Sequence, residues 1–133
     1  MKATLDIDGV LSRRLAPFRP AVVYLFGSAA KGCSRPDSDI DVAFLAASPP
    51  DPVRVFDVAQ EIAADLGREV DLVDLHRASA VLKAQIIGTG RRLAGGDPGA
   101  TATFEMYALS DYARANEERR EPLRVFEESF HAR

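Results

Sequence analysis

The strongest constraint on the fold is a pair of short motifs, each attached to an apolar run. Gly27-Ser28 directly follows the apolar run Ala21–Phe26. After ten further residues comes Asp39-Ile40-Asp41, which directly precedes the apolar run Val42–Ala47. Short β-rich runs that stop at glycine, or that begin with alternating polar and apolar residues, are typical of strands. The sequence therefore predicts two strands, with the polar residues of both motifs at the ends that the intervening segment joins.

The second motif places two carboxylates in one small space. Alternation along a strand directs the side chains of Asp39 and Asp41 to the same face. Two carboxylates that close repel each other unless a cation lies between them, and Mg²⁺ needs only one or two carboxylates besides phosphate and water oxygens. A third alternating segment, Glu69–Leu75, adds Asp71 if its strand lies beside the second. Three carboxylates can hold two metal ions about 3.5–4 Å apart, which supports phosphoryl or nucleotidyl transfer.

The first motif supplies the complementary half of a metal and phosphate site. A strand followed by a helical turn exposes unpaired N–H groups where the helix dipole favours phosphate, and the Ser28 hydroxyl can donate a further hydrogen bond. Gly27 lets the backbone come close to a ligand. Lys31 follows one turn later and Arg35 lies in the next turn, so both are candidates to pair with a triphosphate.

Two further polar residues near the third strand are assigned structural roles. Asp74 falls on the opposite face of an ideal strand from Asp71 and is interpreted as a strand-end or cap residue. His76 is interpreted as a polar residue where the chain leaves that strand. Neither residue is predicted to take part in catalysis.

The rest of the chain alternates helical and strand patterns. Helices are predicted within residues 1–16, from Asp51-Pro52 to about Gly67, from Ser79 to Ile87 with Gly88 and Gly90 ending it, and over 101–120. A short edge strand is predicted over Arg91–Ala94. The fold class is therefore α/β, with a small mixed, mostly antiparallel sheet of three or four strands, helices packed on one face and the site at an open edge. The core face of the last helix is predicted to consist of Phe104, Tyr107, Ala108, Tyr112 and Ala115.

Size and composition exclude several classes of protein. The 133 residues suffice for one core without disulfides, and the net charge of -3 argues against a protein whose main task is to neutralise nucleic-acid phosphate. No apolar run approaches the roughly 20 residues that a membrane span requires. Because Cys33 is the only cysteine, no intrachain disulfide can form, and the cytoplasm is the expected location.

The run from Gly27 to Gly32, followed by Arg35-Pro36-Asp37-Ser38-Asp39-Ile40-Asp41, resembles the minimal nucleotidyltransferases of the DNA polymerase beta-like superfamily. Their signature is Gly-Ser, ten residues, then Asp-x-Asp. The segment around Asp71 is similar to the one that carries the third carboxylate of that family. The resemblance covers residues of about 20 to 95, Lys31 stands where the family often has Arg, and Cys33-Ser34 replaces a commoner acidic and small pair. It implies a polymerase beta-like domain over 1–120 with its core at 20–95, followed by a charged tail or partner-docking segment at 121–133.

Small size and the C-terminal layout are most similar to the antitoxin members of the MntA type, which are encoded beside a HEPN-domain ribonuclease toxin. The resemblance implies transfer of AMP from ATP to a tyrosine hydroxyl of that toxin, in a hetero-oligomer and with a two-metal Mg²⁺ site. It assigns Asp39, Asp41 and Asp71 to catalysis and to the metal, and Gly27, Ser28, Lys31 and Arg35 to the nucleotide. Neither a membrane nor direct nucleic-acid binding is expected.

Two other functions stay open at this point. The protein could be a non-catalytic antitoxin that acts by steric binding, or it could transfer a nucleotide to a small molecule such as an aminoglycoside. The short chain argues against the second, because those family members carry an extra helical domain. The C-terminal stripe Leu123, Phe126 and Phe130 docks either on its own domain or on a partner.

Overall fold

The computed structural model describes residues 6–27 and 39–118, and every structural statement below concerns these residues. The elements in chain order are α1 (Ile7–Leu15), a 3₁₀ turn (Ala16–Phe18), β1 (Val22–Phe26), β2 (Ile40–Leu45), α2 (Pro52–Leu66), β3 (Val70–Asp74), α3 (Ala80–Thr89), β4 (Arg91–Arg92) and α4 (Pro98–Glu118). The predicted helical turn after Ser28, the boundary at residue 120 and the stripe Leu123, Phe126 and Phe130 lie outside the described residues.

The limits of α2 and α3 follow from their capping residues. The Asp51 carboxylate accepts a hydrogen bond from the Val53 backbone N–H at 3.0 Å, and Gly67 ends α2 in the left-handed conformation, as the sequence predicts. The Ser79 hydroxyl caps α3 in the same way through the Leu82 N–H. The helix ends at Gly90, so Gly88 lies inside α3 and does not help to end it.

The four strands form one mixed sheet in the order β3-β2-β1-β4. The central strand β1 pairs antiparallel with both β2 and β4, whereas β2 and β3 run parallel. The predicted α/β fold with a small, mostly antiparallel sheet is therefore confirmed. The predicted edge strand is present as the two residues of β4.

Helices pack on both faces of this sheet, which corrects the prediction that they cover one face only. On one face, α1 and α2 pack against the strand residues Leu25, Val42 and Phe44. On the other face, α3 and α4 pack against the strand residues Tyr24 and Ala43. The physical reason is that β1 and β2 are apolar on both sides, since successive side chains of a strand point to opposite faces. Leaving either side bare would expose a row of large apolar side chains.

The last helix departs from its predicted core face at one position. Ala108 is buried, and Phe104, Tyr112 and Ala115 are partly buried, but Tyr107 is 63% exposed. Tyr107 directly precedes Ala108, and a helix advances about 100° per residue, so the two side chains diverge around the axis. Over the described part of the chain, no helix is long and apolar enough to cross a membrane.

Candidate functional site

The carboxylates singled out in the sequence meet at one end of the sheet. The antiparallel register sets Phe26, the last residue of β1, opposite Asp41, and the parallel register sets Asp41 beside Asp71. Because β2 and β3 run parallel, both begin at the end of the sheet where β1 finishes. Strand pairing thus places Gly27, which directly follows β1, against Asp41 near the start of β2.

Strand alternation directs the two paired carboxylates to the same face. Ile40 and Val42 of β2 pack into the core on the α1 and α2 side, so Asp41 between them projects from the opposite side. Val70 and Leu72 pack on that same side and turn Asp71 outward likewise. Asp39 and Asp71 are exposed and Asp41 is partly buried, so the group faces solvent at the open end of the sheet.

The charges of these side chains act on one another at the open end of the sheet. Partial burial raises the pKa of the Asp41 carboxyl above its ordinary value, and the charges of Asp71 and Asp39 raise that pKa further. The arrangement therefore carries negative charge that a bound cation would neutralise.

Gly27 is required at its position for two separate reasons. Its φ of +69° lies in the left-handed region, where residues with a Cβ are strained. A Cβ built on Gly27 would also overlap the Asp41 carboxylate. The glycine thus lets the end of β1 pass directly against the carboxylate. Ser28, Lys31 and Arg35, the other residues predicted to bind the nucleotide, lie outside the described part of the chain.

Carboxylate oxygens are ligands that a hard divalent cation prefers, and Asp41 and Asp71 lie side by side at this end of the sheet. Within residues 6–27 and 39–118, no three or more His, Cys, Asp and Glu side chains are arranged as a ready-made metal cage. Mg²⁺ does not need such a cage, since it usually takes one or two protein carboxylates and completes its shell with water and substrate phosphate oxygens. Asp39, Asp41 and Asp71 are the residues that could hold it.

Asp74 and His76 have the structural roles that the sequence predicts. One carboxylate oxygen of Asp74 accepts a hydrogen bond from the His76 backbone N–H at 2.9 Å, which closes a turn after β3. The His76 ring nitrogen Nε2 lies 2.8 Å from the Ala46 carbonyl oxygen. Asp74 thus shapes the turn after β3, and the His76 ring links this turn to Ala46 just after β2.

A partly buried hydrogen-bond network that sequence reasoning missed holds α4 against β1. The Tyr24 hydroxyl, 1% exposed as a residue, donates to the Glu105 carboxylate at 2.5 Å, and Arg92 pairs with the same carboxylate. Burial and this hydrogen bond raise the pKa of Tyr24. The three residues are far apart in the sequence, so no local pattern predicts their contact.

Known proteins are similar to this chain in sequence and in fold. Residues 11–98 match the family model "Polymerase beta, Nucleotidyltransferase". The protein adenylyltransferase MntA of Shewanella oneidensis is 45% identical over 74 residues, which are 56% of this chain and 53% of that relative. The match thus spans about half the length of the curated relative.

Two solved structures extend the similarity to nearly the whole chain. A crystal structure of a toxin–antitoxin with AMP-PNP has a TM-score of 0.82 at 32% identity and covers 91% of this chain and 98% of its own. A structure of a tri-AMPylated Shewanella oneidensis HEPN toxin in complex with MNT antitoxin has a TM-score of 0.75 at 30% identity, covering 90% and 94%. Together with the matched family model, this similarity shows that the chain belongs to the polymerase beta nucleotidyltransferase family.

Proposed function

We propose that this protein is a Mg²⁺-dependent protein adenylyltransferase of the antitoxin type. It transfers AMP from ATP to a tyrosine hydroxyl of a HEPN-domain ribonuclease toxin encoded by a neighbouring gene, and so neutralises the toxin. The observation that carries the nucleotidyl-transfer chemistry is the side-by-side register of Asp41 and Asp71 on one face of the sheet, next to Gly27. We place this reaction in the cytoplasm.

The carboxylates divide the chemistry between them. Asp39 and Asp41 would ligate both metal ions and Asp71 would complete one of the two sites. Bound Mg²⁺ neutralises charge on the phosphates and lowers the pKa of oxygens that it touches. Asp71 would help to take up the proton of the acceptor hydroxyl. The hydroxyl oxygen then forms a bond to the α-phosphorus, the bond from that phosphorus to the β-phosphate bridging oxygen breaks, and pyrophosphate leaves.

The nucleotide is assigned to the end of β1. Gly27 brings its backbone next to Asp41, so a phosphate held there would lie beside the carboxylates proposed to bind the metal. Ser28, Lys31 and Arg35 come later in the chain and would complete the proposed grip on the β- and γ-phosphates. The proposal thus puts the triphosphate above β1 and β2 and leaves β3 for the acceptor.

The relatives support the choice of donor, acceptor and partner. AMP-PNP, an ATP analogue, is present in one related toxin–antitoxin structure, and an AMPylated HEPN toxin accompanies the antitoxin in another. The curated relative is named as a protein adenylyltransferase. These observations favour a protein acceptor and a hetero-oligomer over a small-molecule acceptor.

The decisive experiment is the intact mass of the toxin after incubation with this protein, ATP and Mg²⁺. The proposal predicts a gain of one or more whole AMP units, with the acceptor residue identified by peptide mapping. The Asp39→Ala, Asp41→Ala double variant is the matched control and should give no gain. A stable complex without any mass gain would refute catalysis and leave steric neutralisation as the function.

A further inference from the structure

Helix α4 presents an apolar stripe on its outer side. The stripe, called the α4 stripe below, consists of the exposed residues Ala102, Met106, Leu109 and Ala113. Steps of three and four residues put their side chains on one side of the helix. Met106 is 57% exposed and Leu109 is 45% exposed, so the described part of the chain leaves both large side chains largely uncovered.

This stripe is separate from the side of α4 that packs on the rest of the protein. Phe104 packs against the core beside the sheet, and Ala108 is buried. Because a helix advances about 100° per residue, the α4 stripe lies more than about 100° around the axis from these two residues. Large apolar side chains that adjoin each other on an outer helix face mark a contact surface.

The chain beyond α4 carries a second apolar stripe that matches the first in length. The tail stripe consists of Leu123, Phe126 and Phe130, again at steps of three and four residues. Leu123 and Phe130 are seven positions apart, as are Met106 and Ala113. At 1.5 Å per residue, each pair would span about 10 Å along a helix. Two such stripes can cover each other from end to end.

The sequence between α4 and the tail stripe is suited to a tight turn. Pro122 has no backbone N–H to continue α4, and its ring would clash with the Glu118 carbonyl in a continuous helix. Three residues, Arg119-Arg120-Glu121, separate Glu118 from Pro122. Antiparallel helices are commonly joined by two to five residues, and proline is favoured at the first position of a helix. The connection therefore has the length and composition of a helical hairpin.

We propose that the segment from Pro122 to at least Phe130 folds back as a helix antiparallel to α4 and covers the α4 stripe with the tail stripe. Leu123 then lies against Ala113 near the turn, and Phe130 lies against Met106 at the far end. The tail stripe thus docks on its own domain. This arrangement does not involve the carboxylate site and does not rest on the transfer reaction.

Covalent attachment favours this segment over a separate chain as the occupant. A segment joined to α4 by three residues has an effective concentration in the millimolar range, which exceeds the usual concentration of a second copy or of another protein. A helix of about ten residues is also marginal in water by itself. The tail stripe therefore needs an apolar surface, and the α4 stripe is the one directly within its reach.

The test is disulfide formation in the full chain alone, in a Cys33→Ser background that leaves the two introduced cysteines as the only ones. Met106→Cys with Phe130→Cys should form an intramolecular disulfide at least about tenfold faster than Tyr107→Cys with Phe130→Cys, because the bond requires Cα atoms within about 7 Å. Tyr107 is the matched control, since it is similarly exposed but about 100° further around α4.

A measurement of stability covers the case in which cysteines disturb the contact. Leu109→Glu and Phe126→Glu should each lower Tm by a few degrees. The double variant should lose no more than the larger single loss, because both changes break the same contact. Tyr107→Glu, outside the α4 stripe, should change Tm by less than about one degree.

Three results would overturn the proposal. If both cysteine pairs close at equal rates and the two Tm losses add, the segment does not lie on α4. Disulfide-linked dimers that increase with protein concentration, in place of the intramolecular bond, would assign the α4 stripe to a second copy. If neither pair closes and Leu109→Glu instead weakens binding of the toxin, the partner occupies the stripe. AMP transfer is measured separately, so failure of this proposal leaves the proposed function unchanged.

Discussion

Asp41 of β2 lies directly beside Asp71 of β3 in a parallel register, and the side chains of both project from the same face of the sheet. The two residues are separated by helix α2 in the chain, so this contact is made by the fold. Burial raises the pKa of the Asp41 carboxyl, and the charge of Asp71 raises that pKa further. Repulsion between the two carboxylates lowers the free energy of unfolding, and a bound cation would offset this loss.

The first prediction concerns the effect of the Asp41 carboxylate on stability. The pKa of Asp41 is raised above its ordinary value of 3.8, so between that value and the folded-state pKa the unfolded chain releases its proton first. The free energy of unfolding therefore falls as pH rises through this window and stays lowered at neutral pH. Asp41→Asn should abolish AMP transfer yet raise Tm at pH 7 by a few degrees. Thermal melts across pH check this.

The control for this prediction is acid pH, where the Asp41 carboxyl is protonated in both states. There the Tm values of Asp41→Asn and the wild type should converge. Millimolar Mg²⁺ at pH 7 should raise the Tm of the wild type and leave that of the variant almost unchanged. A variant that is less stable than the wild type at pH 7 would contradict the assigned repulsion.

A second prediction separates the two roles of Gly27. Gly27→Ala forces a strained left-handed residue and pushes against the Asp41 carboxylate, so it should lower stability by about 1–3 kcal/mol and abolish transfer. Gly67→Ala is the matched control, because Gly67 has φ +65° and no atom within 4 Å of an added Cβ. That variant should lose about 1 kcal/mol and keep its activity. Denaturant unfolding and the mass assay measure both effects, and equal activity loss in the two variants would contradict the close-approach argument.

A third prediction tests the anchor of α4. Tyr24→Phe removes the hydroxyl that donates to Glu105, and Arg92 still pairs with that carboxylate. We expect a loss of about 1–2 kcal/mol, typical of a buried hydrogen bond to a charged acceptor. The KM for ATP should stay unchanged, because these residues do not belong to the candidate site. Urea unfolding measures the first quantity and transfer kinetics the second; a neutral substitution would show that the network does not stabilise the fold.

A fourth prediction concerns the contact between α1 and α2. The hydrogen bond from Arg14, together with the charges of Arg14 and Arg13, lowers the pKa of the Asp65 carboxyl. A lowered pKa contributes stability above pH 3.8, and this contribution is lost as pH falls through the folded-state value. Asp65→Asn should therefore give a small fall in Tm at pH 7 that disappears in acid. Thermal melts of both proteins at pH 7 and at acid pH test this. A lower Tm of the variant that persists at acid pH would rule out the ion pair as the cause of the difference.

The sequence by itself determined the local elements and the chemical character of the site. Caps such as Asp51 with Pro52, and Gly67, set the limits of α2, because capping depends on neighbouring residues only. The motif spacing and the alternation around Asp39 and Asp41 predicted which carboxylates share a face. The prediction that Asp71 joins them depended on β3 lying beside β2, because the pattern of a strand does not show which strand pairs with it.

Tertiary structure decided the relationships that depend on distant pairing. The parallel register of β2 and β3 joins Asp71 to Asp41, and the apolar character of β1 and β2 on both sides brings helices to both faces. Tyr107 is turned outward although Phe104 and Ala108 pack inward, because only the side of α4 that packs against α3 and the sheet is covered. The place of β3 at one end of the sheet likewise follows only from the strand order. Local propensities act over a few residues, whereas strand order and burial are properties of the assembled core.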